Sequence, residues 1–266
     1  MKIIALVKYS MDVAEIRVDA SNHSLKLSGV PQHFGDLDKS TVEAAVRLKG
    51  DTDAVVEVLC FGPVAARSGV KDLLAIGADQ ATIVNDPFDG KVDAAVAVIV
   101  LEAALRKLAP FDLVLCGFAS DDGYSYQTGP RLAERLKLPL VSYACQLDLD
   151  SGTLLSQRDF EDSLESVSTP LPAIVSLAEE AFVPRSVTLL QAMKAQKKPT
   201  VSLDLDDLGL DAGALQAAQT CEALGETGVI VERQQKIIKG DDLSALADQL
   251  IDALVARDVL ALGGDE

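Results

Sequence analysis

The chain of 266 residues is long enough for one large domain or a domain with an appendage, and its 48% hydrophobic content supports a packed core, which excludes wholesale disorder. A net charge of −17, from 24 basic and 41 acidic residues, argues against nucleic-acid binding and against binding to anionic membranes, since both need a basic footprint. Two histidines cannot build a histidine-rich metal site, and the four cysteines lack C-x-x-C spacing; Cys60 and Cys116 sit in apolar strand patterns as reduced core thiols.

With Trp absent and aromatics at 4%, the core must be built from Ala, Val, Leu and Ile, as in tightly layered α/β proteins. The first apolar run, Ile3–Val7, is a short strand with neither the h-region nor the cleavage site of a signal peptide. No run reaches transmembrane length, so a cytoplasmic location without membrane insertion is expected. Arg17–Asp19 and Leu25–Leu27 suggest a small hairpin. Strand patterns at Val55–Cys60, Ala81–Val84 and Leu113–Cys116 then alternate with helical patterns at about Lys39–Lys49, Val64–Ile76, Val92–Leu108 and Gln127–Leu136. This alternation predicts a parallel sheet with helices on both faces, a Rossmann-like adenine-nucleotide-binding fold. Ligands of such sheets sit beyond the carboxyl ends of the strands, where residues after Val7, Cys60 and Cys116 gather, including the tight turn Gly62-Pro63.

The most informative stretch follows the fourth of these strands. After Gly117 comes a loop rich in carboxylates, hydroxyls and glycines, and a helix begins near Gln127. Unpaired N–H groups at that helix N-terminus, with the Ser125 and Thr128 hydroxyls, suit a phosphate, and glycines allow its close approach. Asp122 cannot face the phosphate; it suits a ribose hydroxyl, an adenine amine or the loop's own amides. The spacing is neither a Walker loop nor G-x-G-x-x-G, so it supports neither hydrolysis nor hydride transfer.

From Pro139 the pattern changes to Val141–Leu149, Leu154–Arg158, Leu164–Ser168 and Ala173–Leu177, expected as antiparallel strands extending the sheet. Arg185 to Pro199 then concentrates cations in an acidic chain. It reads as a short helix whose terminal lysines complement its dipole, and also as a protein-docking segment in which Leu189 or Leu190 is an apolar anchor ringed by lysines. An acidic segment starts at Ser202. A terminal amphipathic helix, Leu243–Leu260, follows a cap at Asp241–Asp242 and must bury its apolar stripe on something. The expected division is an α/β domain over 1–199 and a C-terminal arm over 200–266.

Taken together, these residues resemble the beta subunit of electron-transfer flavoprotein. The matching pieces occur in order: Val7-Lys8 and Asp12, Val42-Glu43-Ala44-Ala45 with Leu48-Lys49, Gly62-Pro63, Gly77-Ala78-Asp79, the loop from Asp122 to Gly129, and Arg185, Leu189, Met193-Lys194-Ala195 and Lys197-Lys198-Pro199. The resemblance implies an electron carrier rather than an enzyme, in a heterodimer whose alpha subunit holds FAD while this chain forms one wall of that site and binds AMP structurally. It places the AMP site at Leu6, Gly35, Asp36, Leu37, Asp38, Phe61 and the loop Asp122, Gly123, Tyr124, Ser125, Tyr126, Gln127, Thr128, Gly129, Pro130, Arg131, Leu132 and Ala133. It places docking of flavin-dependent dehydrogenases at about Phe182 to Pro199, through Arg185, Leu189, Met193, Lys194, Lys197 and Lys198. An ETF-quinone oxidoreductase or similar protein is the implied acceptor, and the terminal helix is expected to dock on the alpha subunit.

The family usually has Asn-Pro-aromatic where this chain has Gly35-Asp36-Leu37, and a family tyrosine near the flavin aligns with Val13. Electron-bifurcating members, with a second FAD in place of AMP, read Asp-Gly-Asp-Thr-x-Gln-Val-Gly-Pro. Gly123 and Pro130 match that form; Tyr124, Ser125, Tyr126 and Thr128 do not, which favours AMP. The alternatives are the bifurcating form and a stand-alone adenine-nucleotide-binding regulator.

Overall fold

The computed structural model describes residues 1–260 apart from 51, 161, 180, 231–234 and 258. The elements run β1 (Lys2–Val7), β2 (Tyr9–Met11), β3 (Arg17–Val18), β4 (Leu25–Lys26), β5 (Gln32–Phe34), α1 (Asp36–Lys49), β6 (Val55–Gly62), α2 (Ala66–Ile76), β7 (Gln80–Asn85), α3 (Ala94–Leu108), β8 (Leu113–Gly117) and α4 (Thr128–Leu136). They continue with β9 (Leu140–Asp150), β10 (Thr153–Phe160), β11 (Ser163–Pro170), β12 (Ala173–Leu177), α5 (Leu189–Ala195), β13 (Thr200–Leu203), α6 (Ala212–Ala217) and α7 (Leu243–Val255). β3 and β4 form the expected antiparallel hairpin.

Among the described residues, nine strands make one sheet in the order β11, β10, β9, β12, β8, β1, β6, β7, β13. The alternation of side chains along β1 divides the core between its two faces. Ile3, Ala5 and Val7 pack with Val42 of α1 and Leu73 and Leu74 of α2. Ile4 and Leu6 pack with Val96 and Val100 of α3 and Leu132 of α4. Burial on both faces is why β1 and β8 read as unbroken apolar runs.

Three expectations are corrected here. Ala173–Leu177 is not part of the antiparallel extension: β12 is inserted between β8 and β9 and runs parallel to both. All five of its residues are buried, as in a central parallel strand. Only β9, β10 and β11 form the antiparallel extension. The α/β domain also continues past residue 199, because β13 pairs parallel with β7, and Leu205, Leu208, Leu210 and Leu215 pack into the core on the α3 side. The exposed arm therefore starts after α6. Its helix α7 ends at Val255, short of the expected Leu260, and buries no residue.

Gly77 caps α2 at φ 148°, and a Cβ there would lie 2.8 Å from Val46 Cγ1 of α1. Both the backbone and the α1–α2 packing demand glycine. Gly77→Ala should cost roughly 1–3 kcal/mol and lower the Tm in calorimetry by several degrees. An unchanged Tm would show that α1 yields freely at this contact.

Candidate nucleotide site

β1 has its successor β6 on one side and β8 on the other, so the chain reverses its direction of sheet growth at the β1–β8 boundary. A cleft of about 400 Å³ opens beyond the carboxyl ends of β1, β6 and β8. Its floor is apolar: Leu6 and Phe61 lie near the ends of β1 and β6, Ala97 and Leu101 approach from α3, and Val92 from the segment before it. Opposite lies the loop between β8 and α4, contributing Ser120, Gly123, Ser125, Tyr126, Gln127 and Thr128.

Two helix N-termini face this space, and they are not equivalent. α3 is capped by Asp93, whose carboxylate accepts the Val96 N–H at 3.0 Å. α4 has Gln127 at its cap position with no side-chain bond to the helix. Pro130 removes one donor from its first turn, and the first backbone bond is Arg131 N–H to the Gln127 carbonyl. The N–H groups of Thr128 and Gly129 are left without an acceptor among the described residues, the arrangement by which helix N-termini suit an anion. Gly129 packs with its Cα side against Cys116 Sγ, where a Cβ would lie at 3.2 Å, so the helix start sits tight on the sheet.

Carboxylates hold the frame. Asp38 accepts the Lys8 N–H at 2.9 Å and the Gly35 N–H at 3.0 Å, tying the end of β1 to the start of α1. Lys8 Nζ pairs with Asp122 at 2.8 Å. Asp122 thus binds a lysine of the first strand's exit, a partner absent from the sequence reading. Desolvation pushes the Asp38 carboxyl up to about 7, its two N–H donors opposing and the Asp121 and Asp122 charges adding to the rise. Asp121 is raised as well, by desolvation and by Asp36.

Of the residues expected at the site, Leu6, Asp38, Phe61, Gly123, Ser125, Tyr126, Gln127 and Thr128 line the cleft. Gly35, Asp36, Leu37, Asp122, Tyr124, Gly129, Pro130 and Arg131 surround it without lining it. A Cβ on Gly35 would fall 1.6 Å from Asp121 Oδ2, Asp36 turns to Lys39 at 3.0 Å, and Tyr124 packs edge-on against Phe118. Leu132 and Ala133 do not reach the cleft, because both are buried in the core beneath α4. Sequence reading missed Asp86, Gly90, Asp93, Thr220 and Cys221 as cleft residues. Asp86 to Gly90 follow a strand at the same sheet edge, and Asp93 precedes an Ala/Val helix as an N-cap does, so those signals were available. Thr220 and Cys221 carry none.

The basic segment is divided. Thr188 and Gln191 form a capping box that starts α5, on which Leu189, Leu190 and Met193 are 78%, 61% and 62% exposed. Lys194 and Lys197 are exposed too. Arg185 and Lys198 have internal partners instead. Arg185 Nε and Nη2 bond the buried Glu43 at 2.8 and 3.0 Å, and Lys198 Nζ bonds the carbonyls of Leu74 and Ala78 at 2.8 and 2.6 Å, closing the carboxyl end of α2.

The electron transfer flavoprotein domain matches residues 24–208. The chain is 32% identical over 215 residues to electron transfer flavoprotein subunit beta of Clostridium acetobutylicum, covering 81% of this chain and 83% of that one. The chain belongs to the electron transfer flavoprotein beta-subunit family. It is also 28% identical over 274 residues to the electron transfer flavoprotein subunit beta of Megasphaera elsdenii, across 98% of this chain and all of that one. The caffeyl-CoA reductase-Etf complex subunit CarD of Acetobacterium woodii is 27% identical over 263 residues, again across 98% of this chain and all of the other. As an electron transfer flavoprotein beta subunit, the protein is an electron carrier and not an enzyme, associated with flavin and with an alpha partner. No helix among the described residues is long and apolar enough to cross a membrane.

Asp38 gives the electron transfer flavoprotein subunit a testable pH signature. Unfolded, an aspartate ionises near about 4, whereas folded Asp38 keeps its proton to about 7. Between these values the folded state binds more protons, so the stability this group contributes is lost as pH rises from about 4 to about 7. The difference in unfolding free energy between wild type and Asp38→Asn, followed by urea melts, should therefore decline across that window. A pH-independent difference would contradict the elevated value.

Proposed function

We propose that this chain binds AMP structurally in the cleft, lends one wall to a FAD site held mainly by its alpha subunit, and docks flavin-dependent dehydrogenases whose electrons pass to an ETF-quinone oxidoreductase or similar acceptor. The observation that carries the nucleotide reading is the open N-terminus of α4 at the sheet's switch point. Thr128 and Gly129 offer two unbonded N–H groups where a phosphate fits, and the Leu6, Phe61 and Val92 side chains offer the apolar contact a purine needs. Gly123 leaves the loop backbone clear on that side, a Cβ there meeting Ser120 Oγ at 3.1 Å. The loop's tyrosines support AMP over a longer dinucleotide, because the Tyr126 ring occupies part of the cleft wall. When bound, FAD supplies the electron chemistry. Val13, where the family carries a tyrosine, is 45% exposed and free to form part of the alpha-facing wall.

The exposed apolar edge of α5 supports docking through Leu189, Met193, Lys194 and Lys197, and the ion pairs of Arg185 with Glu43 hold the approach to that helix firm. In the arm, α7 leaves Leu243 82% and Leu250 51% exposed, and we assign that apolar stripe to the alpha subunit.

Acid extraction of the purified heterodimer tests the cofactor reading, with one AMP and one FAD per heterodimer expected. Two FAD per heterodimer would favour a bifurcating protein, and a colourless monomer without a flavoprotein partner would favour a stand-alone regulator. Docking has its own test in reduction of the heterodimer by its dehydrogenase. Leu189→Ala should weaken the productive encounter about tenfold to hundredfold, the equivalent of most of a buried leucine. Flavin content and Tm should hold, since the side chain is exposed before docking. Normal transfer with lost stability would make Leu189 a packing residue.

A further inference from the structure

The start of the arm is fastened at two separated points, one on the wall of the cleft and one on the β3–β4 hairpin. At the first, Asp93 divides its carboxylate between two elements. Oδ1 accepts the Val96 N–H at 3.0 Å and caps α3, while Oδ2 accepts the Thr220 N–H at 2.7 Å, the Thr220 hydroxyl at 2.6 Å and the Cys221 N–H at 3.0 Å. Desolvation opposes this anion, yet the bonds from Thr220, Val96 and Cys221 hold its pKa down to about 2, so the clasp stays charged near neutral pH. Thr220 and Cys221 are themselves part of the cleft wall.

At the second point, the Gly228 N–H donates to the His23 carbonyl at 2.8 Å, and the Gly228 carbonyl lies 3.2 Å from His23 Nδ1. His23 sits in the turn of the β3–β4 hairpin. A Cβ on Gly228 would fall 2.3 Å from Val18 Cγ2 and 2.9 Å from Leu25 Cδ2, so the arm lies directly on the hairpin and only glycine fits. Two contacts of different chemistry, between parts of the chain over a hundred residues apart, thus fix the ends of one short segment.

We propose that residues 220–228 are a strap that completes the wall of the nucleotide cleft, with Asp93 and the His23 turn as the positioning groups that hold it in place. The proposal rests on the AMP reading above. A ligand in the cleft then contacts the root of the arm, and the energetic consequence is reciprocal: the strap retains the nucleotide, and the nucleotide fixes the path on which the arm sets out towards α7. Occupancy of the cleft and presentation of the exposed helix become linked properties of one chain.

The test uses the full chain with AMP as the probe, in wild type, Thr220→Val, Thr220→Ser and Gly228→Ala. Calorimetry measures AMP affinity, and alkylation by iodoacetamide, resolved by peptide mass spectrometry, reports strap opening at the exposed Cys221. Cys60 and Cys116 serve as internal controls, being buried with thiols pushed up to about 12. AMP should slow alkylation of Cys221 several-fold in wild type. Thr220→Val, which keeps the shape but loses the hydroxyl bond, should weaken AMP about threefold to tenfold and speed alkylation, and Thr220→Ser should restore both. Gly228→Ala should speed Cys221 alkylation from the far end of the strap. If AMP binds wild type and Thr220→Val equally and leaves Cys221 equally reactive, the strap is overturned while the nucleotide reading stands. Absence of AMP binding to wild type would overturn both.

Discussion

The layout of the sheet's carboxyl edge follows from the placement of β1 between β6 and β8. Because the chain builds outwards from β1 in one direction through β6 and β7, and then returns to its other side with β8, the loops leaving β1 and β8 must diverge. They cannot cover the sheet edge between them, and the uncovered edge is the cleft. An interior of small aliphatic residues allows α3 and α4 to pack side by side on this face, so that both begin at the cleft. The site is therefore a product of topology first and of individual side chains second.

Chemistry then separates the two helix ends that topology brought together. Asp93 consumes the N-terminus of α3 and adds a negative charge there, whereas α4 presents unbonded amides with a proline already removing one donor. Of the two ends, α4 is thus the one suited to an anion, and the apolar floor suits the rest of the proposed nucleotide. The same logic applies to the cations of an acidic chain. Lys8 steadies Asp122, Arg185 neutralises the buried Glu43, and Lys198 closes α2. What remains on the surface of α5 is a small apolar edge flanked by Lys194 and Lys197.

Much of this was legible in the sequence, for reasons that particular residues make plain. Parallel strands buried on both faces leave continuous apolar runs, so β1, β6, β7 and β8 and the helices between them were readable, and the loop from Asp122 to Thr128 announced its position by following one of them. β12 was misread because the Pro170-Leu171-Pro172 turn imitates a hairpin connection; its own unbroken run, Ala173–Leu177, was the better signal of a central parallel strand. β13 is four residues long and half exposed at the edge of the sheet, so neither length nor periodicity revealed it. The pairings of Asp93 with Thr220 and of His23 with Gly228 join distant parts of the chain and leave no local pattern. Arg185 and Lys198 looked like docking charges because composition does not tell which cations have found an internal partner.

In the proposed function the open N-terminus of α4 receives the phosphate of an adenine nucleotide. Residue-resolved amide hydrogen exchange with and without AMP reads this contact at the two amides themselves. Thr128 and Gly129, which have no acceptor among the described residues, should gain strong protection when AMP is added, while Val96, already bonded to Asp93, should change little. Protection confined to the start of α3, with Thr128 and Gly129 exchanging as fast as before, would contradict it.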